Sequence, residues 1–224
     1  MTGSPFKPLI LPRLVIFLTL VPAILFLCAG RLDLPWFWAF SVLYCGIFVG
    51  MALSLDRELL KERVQPGAGG EDRGLRAMIM PMFLAHLIVA GLDAGRYGWS
   101  PQIPTPLRIA ALVLLALAMT LTAWSMRVNR FFSPVVRIQS ERGHHVVSTG
   151  PYAIVRHPGY TAALLNMACS GVVLGSFWSV VPLLPGFWLI LHRTVIEDRF
   201  LLANLNGYRD YAARVRHRLI PGVW

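Results

Sequence analysis

Charged side chains are scarce in this sequence. Only 14% of its 224 residues are Asp, Glu, Lys or Arg, against 56% that are hydrophobic, a balance far from that of soluble domains. That shortage excludes an ordinary soluble fold and implies an integral membrane protein. Acidic residues are the scarcer sign, 11 against 21 basic. The basic excess does not indicate nucleic acid, because the charges lie between long apolar runs rather than in a patch with interleaved aromatics. Cysteine is almost absent. Cys28, Cys45 and Cys169 lie singly in apolar stretches, an odd number without paired spacing, so neither a disulfide framework nor a zinc site is indicated and buried thiols are expected. There is no Gly-x-Gly-x-x-Gly dinucleotide motif, internal repeat or low-complexity tract. No Ala-x-Ala-like site cleanly follows the first apolar run, and Leu27 is too bulky to precede a lipoprotein Cys28, so this run is expected to remain as an uncleaved span.

What is present is a series of apolar runs. Leu14 to Gly30, extendable back to Leu9 across Arg13, and Leu34 to Leu55 are each long enough to cross a hydrocarbon core of about 30 Å. Arg31 to Asp33 leaves room only for a tight turn, and Trp36 and Trp38 suit the interface. Asp56 to Arg76 is a charged loop. Its start reads as a helical extension ended by Pro66, followed by the flexible stretch Gln65 to Gly70. Ala77 to Leu92 gives a short third span of 16 residues, which suggests local thinning of the bilayer. It contains His86, expected to donate to a neighbouring helix carbonyl. Gly95 to Pro106 reads as an interfacial loop and Ile109 to Met126 as the fourth span. Arg127 to Thr149 is polar, with His144 and His145 expected as solvated loop residues.

The 34 residues from Pro158 to Leu191 carry no charge. As one helix they would measure about 51 Å, too long for one crossing, so a hairpin is expected with its turn at Gly175-Ser176 and with Pro182 and Pro185 kinking the second arm. Before it stands Ser148-Thr-Gly-Pro-Tyr-Ala-Ile-Val-Arg-His-Pro-Gly-Tyr160, a loop shaped by two Pro dipeptides. After it stand His192, Arg193, Glu197, Asp198 and Arg199. Folding the hairpin brings both polar clusters to one mouth. Glu197 to Arg218 then reads as an amphipathic segment lying on the membrane surface. Eighteen of the 21 basic residues fall on one side of this arrangement, which places both termini and the mouth in the cytoplasm.

Gly150-Pro151-Tyr152, Arg156-His157-Pro158-Gly159-Tyr160, the acidic pair Glu197-Asp198, Tyr208, Tyr211 and the ending Arg218-Leu-Ile-Pro221 together resemble the isoprenylcysteine carboxyl methyltransferase and phospholipid methyltransferase families. The resemblance covers roughly residues 130 to 224. It departs from the family pattern in Glu-Asp for Glu-Glu, in Ala162 where glycine is common, and in Leu205-Asn206 for a common Phe-Gly. It implies an all-α integral membrane enzyme with four transmembrane helices, a C-terminal helical hairpin and an interfacial C-terminal helix. Residues 1–130 would form the N-terminal helices, and 131–224 the cofactor-binding and catalytic region of one structural domain. The implied cofactor is S-adenosylmethionine, held by Gly150, Pro151, Tyr152, His157, Pro158, Tyr160, Glu197 and Asp198. No metal is implied.

The implied partners are membrane lipids and a lipophilic acceptor drawn from the bilayer. Methyl transfer needs positioning and exclusion of water more than an elaborate catalytic group. Arg156 and Arg193 are the residues able to hold an anionic acceptor head by paired hydrogen bonds. The plainer alternative has both arginines snorkelling to headgroups, with Glu197 pairing Arg193 one turn earlier. Two other functions stay open: a membrane reductase of the steroid reductase kind using NADPH, and a structural or transport role without a small-molecule cofactor.

Overall fold

A computed structural model describes residues 7–67 and 73–224, so the expected flexible stretch Gln65 to Gly70 lies outside the described residues from position 68 onward. Every regular element among the described residues is helical: α1 Lys7–Ala29, α2 Pro35–Ser54, α3 Arg57–Val64, α4 Arg73–Ala90, α5 Thr105–Val128, α6 Pro158–Leu174, α7 Leu184–Asn204 and α8 Tyr208–Arg214. Four stretches, Pro35–Ser54, Ala77–Tyr97, Thr105–Val128 and Trp178–Asn204, are long and apolar enough to cross a membrane, and the apolar parts of α1 and α6 are shorter. Leu27, Val42, Leu53, Leu117 and Trp188 stand exposed on outer faces. In water such apolar exposure would drive aggregation, whereas hydrocarbon is its ordinary solvent.

The links 30–34, 98–104 and 175–183 gather at one end, and α3, the 129–157 loop and the C-terminal segment at the other. The largest apolar core belongs to the first end. It joins Val21, Leu25 and Ala29 of α1, Phe37, Phe40 and Tyr44 of α2, Leu87 and Ala90 of α4, Leu115 and Met119 of α5, and Val173 and Leu174 of α6. The second end, where the polar clusters lie, is held instead by hydrogen bonds and ion pairs.

Several sequence expectations need correction. The third span does not stop at Leu92: a π-helical turn, Gly91–Tyr97, continues α4, giving 21 apolar-helix residues from Ala77 to Tyr97. No thinning is required. Asp93 sits inside this span with no exposed surface. It is tolerated because its side-chain oxygens accept from the Ser100 N–H (2.7 Å), the Ser100 hydroxyl and the Ser176 hydroxyl (2.6 Å), partners without which burial in a bilayer would be penalised. The interfacial loop therefore begins after Tyr97. α3 is no extension of the second span. Leu55 is extended, and the Asp56 carboxylate caps the Glu58 N–H to start a separate helix.

The hairpin turn falls at Gly175-Ser176 as expected. Gly175 closes α6 with φ +80°, a left-handed cap favouring glycine. Pro182 and Pro185 do not kink the second arm. Pro182 lies in a 3-10 turn, Trp178–Leu183, and Pro185 in the first turn of α7, where its missing N–H costs no helical bond. The tail is not one surface helix either. α7 runs straight through Glu197 and Asp198 to Asn204, then Gly207 at φ +79° starts the seven-residue α8, which buries Tyr208 and Tyr211. Cys169 is buried, whereas Cys28 and Cys45 are half-buried. His86 donates as expected, from Nδ1 to the Ser179 carbonyl at 2.7 Å.

Gly95 is required by packing. A Cβ there would lie 2.3 Å from Ala29 Cβ and 2.8 Å from Ala29 Cα, so the π-turn and α1 touch backbone to backbone. Gly95→Ala is expected to lower stability by about 1–3 kcal/mol, the usual cost of overpacking, and a thermal midpoint measured in detergent will show it. An unchanged midpoint would mean the two helices are free to part.

Candidate active site

The N-terminus of α6 and the second half of α7 meet at the polar end, and two adjacent acidic residues divide the contacts between them. On a helix, neighbours point about 100° apart. Asp198 therefore faces inward and Glu197 toward the mouth. The Asp198 carboxylate, with no exposed surface, accepts from Arg156 Nε (2.8 Å) and Nη2 (2.9 Å), Arg218 Nε (2.9 Å) and the Tyr208 hydroxyl (3.0 Å), with His157 Nε2 3.3 Å away. Arg156 is also engaged at Nη1, which donates to the carbonyls of Ala212, Val215 and Arg216. The backbone repeats the attachment: Arg156 N–H donates to His217 O and His157 N–H to Arg218 O. One carboxylate thus ties α7, the turn before α6, α8 and the C-terminal segment together.

Glu197 belongs to a second set. The Tyr160 hydroxyl donates to Glu197 Oε2 and accepts from Arg193 Nε at 2.6 Å. The direct Arg193–Glu197 separation is 3.9 Å, so the phenol bridges a pair that would otherwise be loose. Arg193 Nη2 donates to the Pro134 carbonyl at 2.7 Å. His157 approaches Glu197 Oε1 through Nδ1 at 4.0 Å, and its ring stacks with that of Tyr160. Glu197 keeps 25% of its side chain exposed, while Arg193 keeps 10%. Of this pair, the carboxylate is the more open to an incoming molecule.

Gly150, Pro151 and Tyr152 stand apart from these two sets. They form a 3-10 turn, Gly150–Ala153, packed on the end of α5: a Cβ on Gly150 would lie 3.1 Å from Val128 and 3.3 Å from Trp124 Nε1. Tyr152 is buried and its hydroxyl lies 3.5 Å from Ser125 O. The turn joins the rest through Tyr211, whose hydroxyl donates to the Tyr152 carbonyl at 2.8 Å. Burial pushes the phenols of Tyr152, Tyr208 and Tyr211 well above the ordinary tyrosine range, so all three act as neutral donors. Pro158 is the first residue of α6 and is buried.

Sequence reasoning missed the Pro134 carbonyl, because a backbone acceptor leaves no mark on residue type. It also did not foresee the buried cluster of Glu62, Ser133 and Arg137 behind it. His144 needs correcting too. It is half-buried rather than solvated, accepts the Gln139 N–H at Nδ1 (3.2 Å) and stacks on Phe131 at 4.5 Å. His145 is exposed.

Burial, reinforced by the nearby charges of His145, Arg137 and Arg142, pushes the His144 pKa down to about 4. Between that value and its ordinary value the unfolded chain binds a proton that the folded chain refuses. Stability is therefore complete above about pH 6.5 and falls as pH drops toward 4. His144→Phe, which keeps the stack and removes the titration, should flatten the dependence of the thermal midpoint on pH between 7 and 5. An identical slope in both proteins would place the acid sensitivity elsewhere.

Comparison with known proteins bears on this same region. Residues 107–206 match the family model described as phospholipid methyltransferase, a match that takes in α5 and stops before α8. A probable protein-S-isoprenylcysteine O-methyltransferase from Oryza sativa subsp. indica is 30% identical over 97 residues, 42% of this chain and 50% of that protein. Protein-S-isoprenylcysteine O-methyltransferase B from Arabidopsis thaliana is 28% identical over 89 residues, 39% of this chain and 45% of that protein. The cobalt-zinc-cadmium resistance protein CzcN of Cupriavidus metallidurans is 27% identical over 167 residues, 74% of this chain and 67% of that protein. This chain thus spans about half the length of the plant relatives it matches. The resemblance to the isoprenylcysteine and phospholipid methyltransferase families is borne out.

Proposed function

We propose that this chain, whose C-terminal half carries the phospholipid methyltransferase signature, transfers a methyl group from S-adenosylmethionine to a lipophilic acceptor at the cytoplasmic membrane face. The observation that carries this reading is the Arg193–Tyr160–Glu197 chain of contacts, a partly exposed carboxylate beside an arginine held in one orientation. The donor set fits the cofactor. Glu197 offers a partly exposed negative charge, complementary to a sulfonium or an ammonium group. When bound, S-adenosylmethionine would supply an electrophilic methyl carbon to a nucleophilic atom of the acceptor, its sulfonium becoming a neutral thioether.

The chain's own residues then have distinct tasks. Glu197 matches the positive charge of the bound cofactor. Because that charge is lost during transfer, the contact aids binding rather than turnover. Arg193 orients an anionic acceptor head such as a prenylcysteine carboxylate, and Tyr160 holds the guanidinium in place for it. Arg156 lies against the buried Asp198 and holds the C-terminal segment, whereas Arg193 lies beside the partly exposed Glu197 and takes the acceptor role.

Ligand-dependent thermal shift in detergent tests the cofactor. S-adenosylmethionine at a hundred times its dissociation constant should stabilise the protein by about 2.7 kcal/mol, and His157→Ala and Tyr160→Ala should weaken that binding without unfolding the protein. A shift with NADPH and none with S-adenosylmethionine would replace this reading by the reductase. No shift with either would favour the structural role. Topology is tested separately: cysteines placed beside Arg57 and Arg142 should resist impermeant reagent in intact cells.

A further inference from the structure

We infer that Glu62, on the short helix α3 outside the site, is a positioning residue that sets the orientation of Arg193 through a single peptide plane. The inference rests on the reading of Arg193 as the group that orients the acceptor. Glu62 is buried, at 6% exposure, and both its oxygens are occupied. Oε1 accepts from the Ser133 hydroxyl (2.8 Å) and Arg137 Nε (3.0 Å), and Oε2 from Arg137 Nη2 (2.8 Å) and the Gly67 N–H (3.3 Å). The Ser133 oxygen in turn accepts the Val135 N–H at 3.2 Å. That N–H and the Pro134 carbonyl belong to one peptide unit, which is planar and rigid. The carbonyl is the acceptor for Arg193 Nη2 at 2.7 Å. Fixing the N–H side of this plane therefore fixes the direction of its C=O, and with it the guanidinium.

The surroundings leave this plane little other freedom. Proline holds φ at position 134. The ring of Phe132 lies over Gly159, where a Cβ would come within 2.6 Å of it, and the Arg63 guanidinium covers Phe132 at 5.2 Å. Arg137, besides its bonds to Glu62, pairs with Glu141 at 2.7 Å. α3 itself is anchored by its Asp56 cap and by Leu59, packed with Leu55 and Met126. A guanidinium fixed at Nε by Tyr160 and at Nη2 by Pro134 cannot rotate about its terminal bond without losing one of the two, so the Glu62 contacts act on geometry rather than on charge. Glu62 touches neither reacting partner in this scheme, and its influence passes entirely through Ser133 and the 134–135 peptide.

The test is a double-mutant cycle on the full-length protein in detergent, with S-adenosylmethionine and an S-prenylated N-acetylcysteine as probes. Glu62→Gln and Ser133→Ala should each lower acceptor turnover about tenfold, as expected for a small misplacement of a positioning group. Calorimetric affinity for S-adenosylmethionine should stay within about twofold in both, and Ser133→Thr, which restores the hydroxyl, should restore turnover. In an Arg193→Lys background the same substitutions should add less than about twofold, because the group they orient is gone. If Glu62→Gln fails to fold, Ser133→Ala carries the cycle alone. Effects that multiply across the two backgrounds, or that lower cofactor affinity and turnover together, overturn the positioning role while leaving the site reading intact. Wild-type constants in Arg193→Lys alone overturn the site reading, and this inference falls with it.

Discussion

Asp198→Asn is expected to destabilise the protein by about 3 kcal/mol, the lower end of the cost of breaking a buried ion pair from one side. The substitution keeps shape and removes charge. It leaves Arg156, only 7% exposed at its side chain, facing an amide whose NH2 is itself a donor. Two features hold the loss to that lower end. Arg156 Nη1 retains its three carbonyl acceptors, and Arg218, 31% exposed, can turn to solvent. The damage should be local: hydrogen exchange should quicken in α8 and in 215–219, whose attachment runs through Tyr208, Arg218 and Arg156. Measured thermal midpoints and exchange rates decide between two roles for this residue. A near-native midpoint with cofactor affinity lost would assign Asp198 to cofactor binding, the role that family resemblance implies.

The membrane-embedded part of the fold was legible because hydrocarbon imposes a length and forbids charge. Thirty-four uncharged residues had to fold back, and a glycine near their middle supplied the turn. The same logic misread the third span. Asp93 marks an end only if it lacks partners, and its partners Ser100 and Ser176 come from segments that no local pattern links to it. The prolines of the second arm were misplaced for a related reason: Pro182 and Pro185 cost a helix little near its start, and the start of α7 could not be fixed from composition.

At the site, helical periodicity correctly separates Glu197 from Asp198, since adjacent residues on one helix must face differently. Arg156 and Arg193 were indistinguishable in sequence, both flanking the hairpin. Only the tertiary contacts divide them, setting Arg156 against the buried Asp198 and Arg193 beside the Tyr160 hydroxyl and the partly exposed Glu197. The polarity of 127–149 suggests solvated histidines at 144 and 145 and gives no sign of what Arg137 meets. Arg137 pairs with Glu62 of α3, and that pair is buried, at 8% and 6% side-chain exposure, and supports the peptide that reaches Arg193.

Arg193→Lys and Glu197→Gln are expected to fail in different ways, although the two side chains share one helical face and one hydroxyl partner. A lysine at 193 keeps the positive charge but cannot donate to Tyr160 and Pro134 in the directions that a planar guanidinium fixes, so the acceptor loses its orientation. Turnover should fall by about tenfold or more, with the apparent constant for S-adenosylmethionine little changed. A glutamine at 197 still accepts the Tyr160 hydroxyl, so the fold and the Arg193 position persist. What it lacks is the charge facing the cofactor through its exposed quarter. The apparent constant for S-adenosylmethionine should rise about tenfold, which corresponds to roughly 1.4 kcal/mol, and turnover at saturation should stay near the wild-type value. If the pair were only a surface contact, either change would cost at most about 1 kcal/mol of stability and nothing in kinetics. Steady-state constants for both variants decide the matter. A pair that shifts the same constant in the same direction means that Tyr160 couples the two into one unit, and a pair with wild-type constants removes this cluster from the reaction.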